Sequence, residues 1–479
     1  MAERPRRLIV DVSSIARWVG PAVGIVRVER ELAAFAEAHR SDTVLSFYDP
    51  RIRQFRALRP RWKETVLGWH GAIEAGAFGT WKRPRPWLPS RGPMMQALER
   101  WRLKSPSRAG RLAAHQLQRL VLAGRRHEYP FAAADGQRLA LVPPDLALGP
   151  AIEPEPGDIL VCAGTDWLHK DVAVLADLRA RHGVSIAVLC FDLIPLLFPQ
   201  FFKPQDCEPF RRHWERMLPI ADLVMVTADR IATDVRELCA ATGIVPPARI
   251  AVVPLGYEPA PPRTLPPLPA GLQPDRFVVF VSTIEPRKGH AMLLRVWARL
   301  LAEGVVQRAG FRLVFVGRLG WMVEDTLSAL ADPARFAGSV LHLANADDTT
   351  VTALYCRAAF SVYPSVYEGF GLPIIEAFAN ACPVIGSTGG SIPETMAGLG
   401  PSLDPLDEDG WFAALRDWIE RPDIRQQHRD RIAQGFAHPS WPEAAARIFA
   451  AIDEMAAQQH NPGVQPGARA QAALSQHEP

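Results

Sequence analysis

The sequence has no apolar run of the ~18 residues that a membrane-crossing helix requires, so no bilayer span is expected. Its six cysteines, at 162, 190, 207, 239, 356 and 382, are scattered and include no C-x-x-C pair. That scatter argues against a disulfide framework or a thiolate metal site, and for reduced thiols in a cytoplasm. The thirteen histidines show no ligand spacing, and there is no internal repeat. Met1 to Arg7 is basic, but only Leu8-Ile9-Val10 follows before Asp11, which is expected to be a first strand rather than a signal peptide. Acidic residues are nearly missing from one segment: residues 81–126 hold twelve Lys/Arg against the single acid Glu99. Formal charge there is +11, against −8 for the remainder and +3 for the whole.

What is present is alternation. At 479 residues and 48% hydrophobic content the chain is globular and too long for one core. Short apolar runs of β type at 8–12, 44–48, 159–163, 186–191, 223–227 and 250–254 are separated by helical stretches. A second series occupies 277–281, 313–316, 341–343, 360–363 and 383–386. Such alternation predicts α/β architecture, with two doubly wound parallel sheets and ligands at the C-terminal strand ends. Between the series, residues 254–274 carry eight prolines and read as an extended linker.

The expected domains are 1–255, interrupted by an insertion at about 51–150; a linker at 256–276; a second domain at 277–430; and C-terminal helices at 431–457. A disordered tail is expected at 458–479. The insertion is basic, tryptophan-containing and proline-rich, with one helical candidate near 94–122. Trp81, Trp87 and Trp101 among its cations suit an anionic lipid surface. A solvated helical surface is the plainer reading, and no recognised motif supports nucleic acid.

The densest chemical signal is Glu368-Gly369-Phe370-Gly371-Leu372-Pro373-Ile374-Ile375-Glu376. An apolar strand runs into it, a glycine turn follows Glu368, and Pro373 suits a first helical turn. Helix N-termini attract phosphates, because their first N–H groups lack partners within the helix. Upstream, Arg287 and Lys288 sit in a loop after the strand at 277–281, where arginine suits bidentate phosphate contact and lysine acts as a point charge. Taken alone, those two are ordinary loop cations, and Glu376 alone is an ordinary helix residue. Asp407-Glu408-Asp409 superficially resembles a metal-binding pair of aspartates, but acids before the helix at Trp411 are explained by the helix dipole.

The Glu-x7-Glu stretch resembles the donor-site signature of retaining GT-B glycosyltransferases of the family four type. Residues 277–289, with their Glu285-Pro286-Arg287-Lys288 run, and the segment Gly389-Gly390-Ser391-Ile392-Pro393-Glu394 resemble the same family. The resemblance is clear over 249–405 and weaker over 8–30 and 158–250. It implies GT-B architecture, with an acceptor-binding first domain, a donor-binding second domain, and a last helix, 441–455, returning to the first. It assigns catalysis to Arg287, Lys288, Glu368 and Asp192, and donor contact to Gly24, Ser282, Gly317, Phe370, Gly371, Leu372 and Glu376. Arg27, Asp166 and His169 would meet the acceptor.

Two positions depart from the family pattern. Ser282 stands where many members carry an arginine, a charge Arg287 is expected to supply. Phe191 replaces the histidine of a His-Asp site, which leaves Asp192 as an acceptor-orienting or a structural residue.

The resemblance further implies a metal-independent hexosyltransferase with no cofactor beyond its nucleotide-sugar co-substrate. GDP-mannose is the favoured donor, and the acceptor is a glycan or lipid-linked glycan of a bacterial surface polysaccharide such as O-antigen. The departing phosphate would help deprotonate the acceptor. The expected location is the cytoplasm, peripheral to the inner membrane face. The alternatives are a different GT-B reaction, such as nucleotide-sugar hydrolysis or glycogen-type synthesis, and a non-catalytic scaffold subunit.

Overall fold

The computed structural model describes residues 6–18, 24–50, 52–67, 131–135, 138–142, 148–258 and 264–459, with isolated positions between 101 and 117. The helical candidate at 94–122, nearly all of the basic tract and the tail beyond 459 therefore lie outside the described residues. The chain divides into two compact units, Met1–Asp158 with Gly164–Val174, and Ile159–Ala163 with Leu175–Pro479.

In the first unit, β1 (Leu8–Asp11) pairs in parallel with β2 (Thr43–Asp49), with Leu8 opposite Thr43 and Asp11 opposite Ser46. Two strands invisible to the apolar-run reading follow: β3 (Gln54–Leu58), antiparallel to β2, and β6 (Leu148–Ala151), antiparallel to β3. Between them in sequence is the hairpin of β4 (Phe131–Asp135) and β5 (Arg138–Val142). β3 was missed because Gln54 and Arg56 break its apolar run; antiparallel strands with one wet face need no continuous apolar sequence.

Beyond β1 the first unit buries a charged lattice. Lys170 Nζ lies 2.7 Å from Asp11 Oδ2 and 2.5 Å from Asp166 Oδ1, and its side chain is fully enclosed. The helix Ile25–His39 brings in Glu29, whose carboxyl accepts hydrogen bonds from Ile15 N at 2.5 Å and Ser14 N at 3.3 Å. Burial and then the charge of Asp11 push Glu29 up to about 8.

The second unit contains one parallel sheet before the proline-rich stretch and one after it. In the former, β7 (Ile159–Cys162), β8 (Ser185–Cys190), β9 (Leu223–Val226) and β10 (Ile250–Val252) pair in succession. In the latter, β11 (Phe277–Val281), β12 (Arg312–Val316), β13 (Val340–Leu343), β14 (Phe360–Tyr363), β15 (Val384–Ser387) and β16 (Ser402–Leu403) run in the order β13-β12-β11-β14-β15-β16. β11 and β14 are thus spatial neighbours although two strands separate them in sequence.

Apolar runs of four or five residues form these strands because helices cover both sheet faces. Phe277, Phe280, Phe315, Phe360, Trp297, Phe378 and Trp411 fill the resulting core. Trp297 keeps its indole N–H satisfied by Ser339 Oγ at 3.0 Å, as a buried donor must. Between β10 and β11 the described residues form neither helix nor strand. That segment is anchored rather than loose: Leu268 and Leu272 pack on the core, and Arg357 donates to Pro266 O at 2.6 Å. The last helix, Trp441–Gln459, lies against the β7–β10 sheet, with Ser185 Oγ donating to Gln459 Oε1 at 2.7 Å.

Replacing Lys170 by Met should leave Asp11 and Asp166 buried without their cation. Breaking such a pair from one side costs about 3–5 kcal/mol, because the partner charge stays desolvated. Urea unfolding should resolve a loss of that size; a variant within about 0.5 kcal/mol of the parent would show that the lattice contributes nothing to stability.

Candidate functional site

In an open parallel sheet, ligands sit beyond the strand ends where the order of strands reverses, since the connecting loops diverge there. In the β11–β16 sheet the reversal falls between β11 and β14. The loop after β11 carries Ser282 to Gly289; the loop after β14 carries Pro364 to Gly371. Two segments some eighty residues apart in sequence are thereby made adjacent.

The first loop closes with a tight turn, Pro286–Lys288, before the helix His290–Ala302. This turn aims Arg287 and Lys288 at the second loop. Lys288 Nζ lies 2.5 Å from Glu368 Oε1, and Arg287 Nη1 lies 2.9 Å from Glu368 Oε2. Arg287 Nη1 also donates to Tyr367 O at 2.8 Å, and Nη2 lies 2.9 Å from Glu285 Oε1. Its Nε is buried and has no hydrogen-bond partner among the described residues. Lys288 further sits 5.6 Å from the centre of the Tyr363 ring.

The sequence placed two loop cations here and did not show what compensates them. Two cations are matched by two carboxylates, with Asp192 within electrostatic reach of all four groups, Arg287, Lys288, Glu368 and Glu285. Burial would raise the Glu368 carboxyl, but the charges of Arg287 and Lys288, with a hydrogen bond from each, outweigh it and pull it down to about 2. Lys288 is lowered by burial and then by Arg287. Burial opposes the charge on Arg287, yet Glu368 and Glu285 more than offset this and hold it above its ordinary range. Glu285 and Asp192 are both raised, chiefly by burial, against the pull of Arg287.

The Glu368 segment is held by its backbone. Ser391 donates to Glu368 O from both N and Oγ at 3.0 Å. Thr227 Oγ1 donates to Gly369 O at 2.7 Å. A Cβ on Gly369 would stand 2.3 Å from Phe191 O and 2.9 Å from Asp192 Cβ, so only glycine permits this approach. Asp192 itself is half-buried and accepts from Ile194 N at 3.0 Å. The structure therefore brings Asp192, Glu368, Arg287 and Lys288 together. Gly371, at φ 104°, caps the helix Leu372–Ala379, a left-handed conformation that suits glycine. Phe370 O accepts from Thr395 Oγ1 at 2.5 Å, leaving the Phe370–Leu372 turn at the open end of that helix.

Glu376 lies one turn into the same helix, half-buried between the buried Ile375 and Ala377. Ser282 follows β11, its Oγ 3.4 Å from His290 Nε2. His290 is a buried imidazole pulled down to about 3 by burial and then by Lys288, hence neutral. Gly317 follows β12; a Cβ there would meet Ser282 O at 2.2 Å.

The remaining expected residues belong to the first unit. Gly24 caps the helix Ile25–His39 at φ 54°, and Arg27 is half-buried in its first turn. Asp166 is held by Lys170, so its carboxylate is engaged in the buried lattice. His169 is pulled down to about 4 by burial, then by Arg17 and Lys170.

Sequence reading gave no individual role to three participants. Glu285 holds Arg287 from its own loop; an acid two positions before the arginine was the available signal. Tyr367 donates its hydroxyl to Asp234 and receives Arg230 Nε at 3.1 Å. Glu394 was noted only as part of a motif. Its carboxylate accepts from Asp229 N and Arg230 N, both at 2.8 Å, and so caps the helix Asp229–Thr242. Asp407 likewise caps the helix Glu408–Glu420 by accepting from Gly410 N at 2.9 Å, as the dipole argument expected. Glu408 and Asp409 pair with Arg295 and Arg299.

Residues 270–434 match the family model described as "Glycosyl transferases group 1". Over 150 residues the chain is 33% identical to the O-antigen chain mannosyltransferase B of Escherichia coli, a match covering 31% of this chain and 38% of that protein. It thus spans well under half the length of that relative. A longer match, 28% identical over 345 residues, covers 69% of this chain and 78% of a D-inositol 3-phosphate glycosyltransferase from Thermobispora bispora. Among solved structures, sucrose-phosphate synthase from Thermosynechococcus elongatus aligns over 95% of this chain and 100% of its own, with a TM-score of 0.54 at 18% identity. The fold is GT-B, with two parallel-sheet α/β domains, and residues 270–434 are a glycosyl transferases group 1 domain.

Proposed function

We propose that this protein is a retaining glycosyltransferase that takes a sugar from a nucleoside diphosphate donor, with GDP-mannose favoured, to a glycan or lipid-linked acceptor in bacterial surface polysaccharide synthesis. The observation that carries the reading is the meeting of the Arg287–Lys288 turn, Glu368 and the start of the helix Leu372–Ala379 at the reversal point of one sheet. The relatives named as mannosyltransferases, from Escherichia coli and Mycolicibacterium hassiacum, support the choice of sugar.

In this reading the pyrophosphate lies at the open N–H groups of residues 370–372, with Lys288 as its nearest cation. Glu368 accepts hydrogen bonds from sugar hydroxyls, and Glu376 from the ribose. As the bond from C1 to the phosphate oxygen breaks, negative charge grows on that oxygen, and a fixed cation stabilises it more than the ground state. The acceptor oxygen then bonds to C1, and its proton passes to the departing phosphate. Arg287, engaged by Glu368, Glu285 and Tyr367 O, serves to hold Glu368 in place.

The acceptor belongs to the first domain, with Arg27 and His169 as its contacts and Asp166 acting through Lys170. Transfer proceeds without a resident metal. The basic tract 81–126 meets an anionic leaflet on the cytoplasmic side, and no described helix is long and apolar enough to cross a membrane.

Turnover with a panel of nucleotide sugars tests the reading directly, and product NMR reports whether anomeric configuration is kept; a protein that turns over none is not the proposed enzyme. Lys288→Ala should lower kcat by roughly 10²-fold or more, the usual cost of removing one transition-state contact. A near-parental rate would reject the role of Lys288. Glu376→Ala should weaken donor binding by calorimetry with a smaller effect on kcat, whereas unchanged affinity would reject the ribose contact.

Glu368 titrates below its ordinary value of 4.5, so the folded protein binds fewer protons than the unfolded chain as the solution is acidified. Its contribution to stability is present above 4.5 and is lost as pH falls towards 2. It should therefore add no titration to the kcat/KM profile between about pH 5 and pH 9. An acidic limb in that window that vanishes in Glu368→Gln would contradict this.

A further inference from the structure

The described cluster presents a diphosphate with cations that are already paired. Lys288 is held by Glu368 at 2.5 Å, and the second oxygen of the same carboxylate holds Arg287 at 2.9 Å. The two cations are not held equally. Arg287 keeps Glu285 at 2.9 Å and Tyr367 O at 2.8 Å if Glu368 is withdrawn. Among the described residues Lys288 has Glu368 as its one direct carboxylate partner, with the Tyr363 ring at 5.6 Å and the charges of Glu285 and Asp192 acting without an ion-pair contact. Glu368 is 6% exposed and Lys288 8%, so water does little to screen the pair. An incoming phosphate must therefore compete with Glu368 for Lys288. Arg287 stays on one oxygen of Glu368, so the phosphate wins most readily where another donor takes the oxygen that Lys288 leaves, since a buried acceptor without a partner is costly. Hydroxyls of the transferred sugar are such donors; in a bare nucleoside diphosphate the ribose hydroxyls are assigned to Glu376, which leaves none for Glu368.

Resting on the donor-site reading above, we propose that Glu368 is the residue by which this site distinguishes a sugar-bearing nucleotide from the bare nucleotide. In the free protein its carboxylate occupies Lys288, and a donor sugar releases that lysine by supplying hydroxyls in its place. After transfer the sugar is gone from the nucleotide, Glu368 returns to Lys288, and the product loses its cation. The contact thus favours donor entry and product departure by the same exchange of partners.

The test compares binding of GDP and GDP-mannose, with UDP and UDP-glucose in parallel, to the parent and to Glu368→Gln by calorimetry. The glutamine keeps the shape and removes the competing charge. The bare nucleotide should bind the variant about tenfold more tightly than the parent, while the sugar nucleotide gains nothing or binds more weakly. This crossing of affinities is not produced by general damage to the fold, which weakens both.

Glu368→Asp, which retains the charge on a shorter stem, is the second variant and should keep the parental preference for the sugar-bearing form. Bare nucleotide binding that is equal or weaker in Glu368→Gln, with the sugar nucleotide still bound by the parent, overturns this proposal and leaves the transferase reading standing. Failure of every nucleotide to bind the parent overturns both.

Discussion

The arrangement turns on one carboxylate set between two cations. Glu368 is enclosed by protein, and a lone buried charge there would be untenable. Arg287 and Lys288 on one loop answer it from the neighbouring loop, and the pair of loops is brought together by β11 and β14 lying side by side. The same contacts order both loops: Arg287 reaches the backbone of Tyr367 as well as the side chain of Glu368. Local backbone order and site electrostatics are therefore one interaction seen from two sides.

That interaction sets what the site can do. A cluster of free cations binds anions indiscriminately, whereas a paired cluster binds only what can replace the partner. The donor-site chemistry proposed above follows from this difference. Tyr367, adjacent to Glu368, is clamped through its hydroxyl to Asp234, and Glu394 caps the helix that carries Asp234. Two further positions around the Glu368 loop are thus fixed by partners from the helix Asp229–Thr242. A catalytic geometry that must hold to fractions of an ångström is supported by such packing rather than by the loop alone.

The first unit repeats the principle with a cation enclosed by its acidic partners. Lys170 between Asp11 and Asp166 is a fully buried ion lattice, and Glu29 satisfies backbone N–H groups beside it. Asp166, picked out from sequence as an acceptor contact, is committed to that lattice. This is the limit of reading a strand-end acid as a ligand group: only its neighbours reveal whether it is already engaged.

Sequence alone determined the β-strands of the parallel sheets except the two-residue β16, because strands covered on both faces are largely apolar, and it determined the absence of regular structure in the described part of the proline-rich stretch. It also located the cation turn and the Glu-x7-Glu helix start, since glycine and proline at those positions have local conformational causes. It could not show β3 and β6, whose pattern is too mixed to stand out. Nor could it show how the charges pair. Lys288 and Glu368 are 80 positions apart and Glu394 and Arg230 are 164 apart. Such contacts exist only once strand order has been chosen, because periodicity reports the environment of each residue and not the identity of its partner.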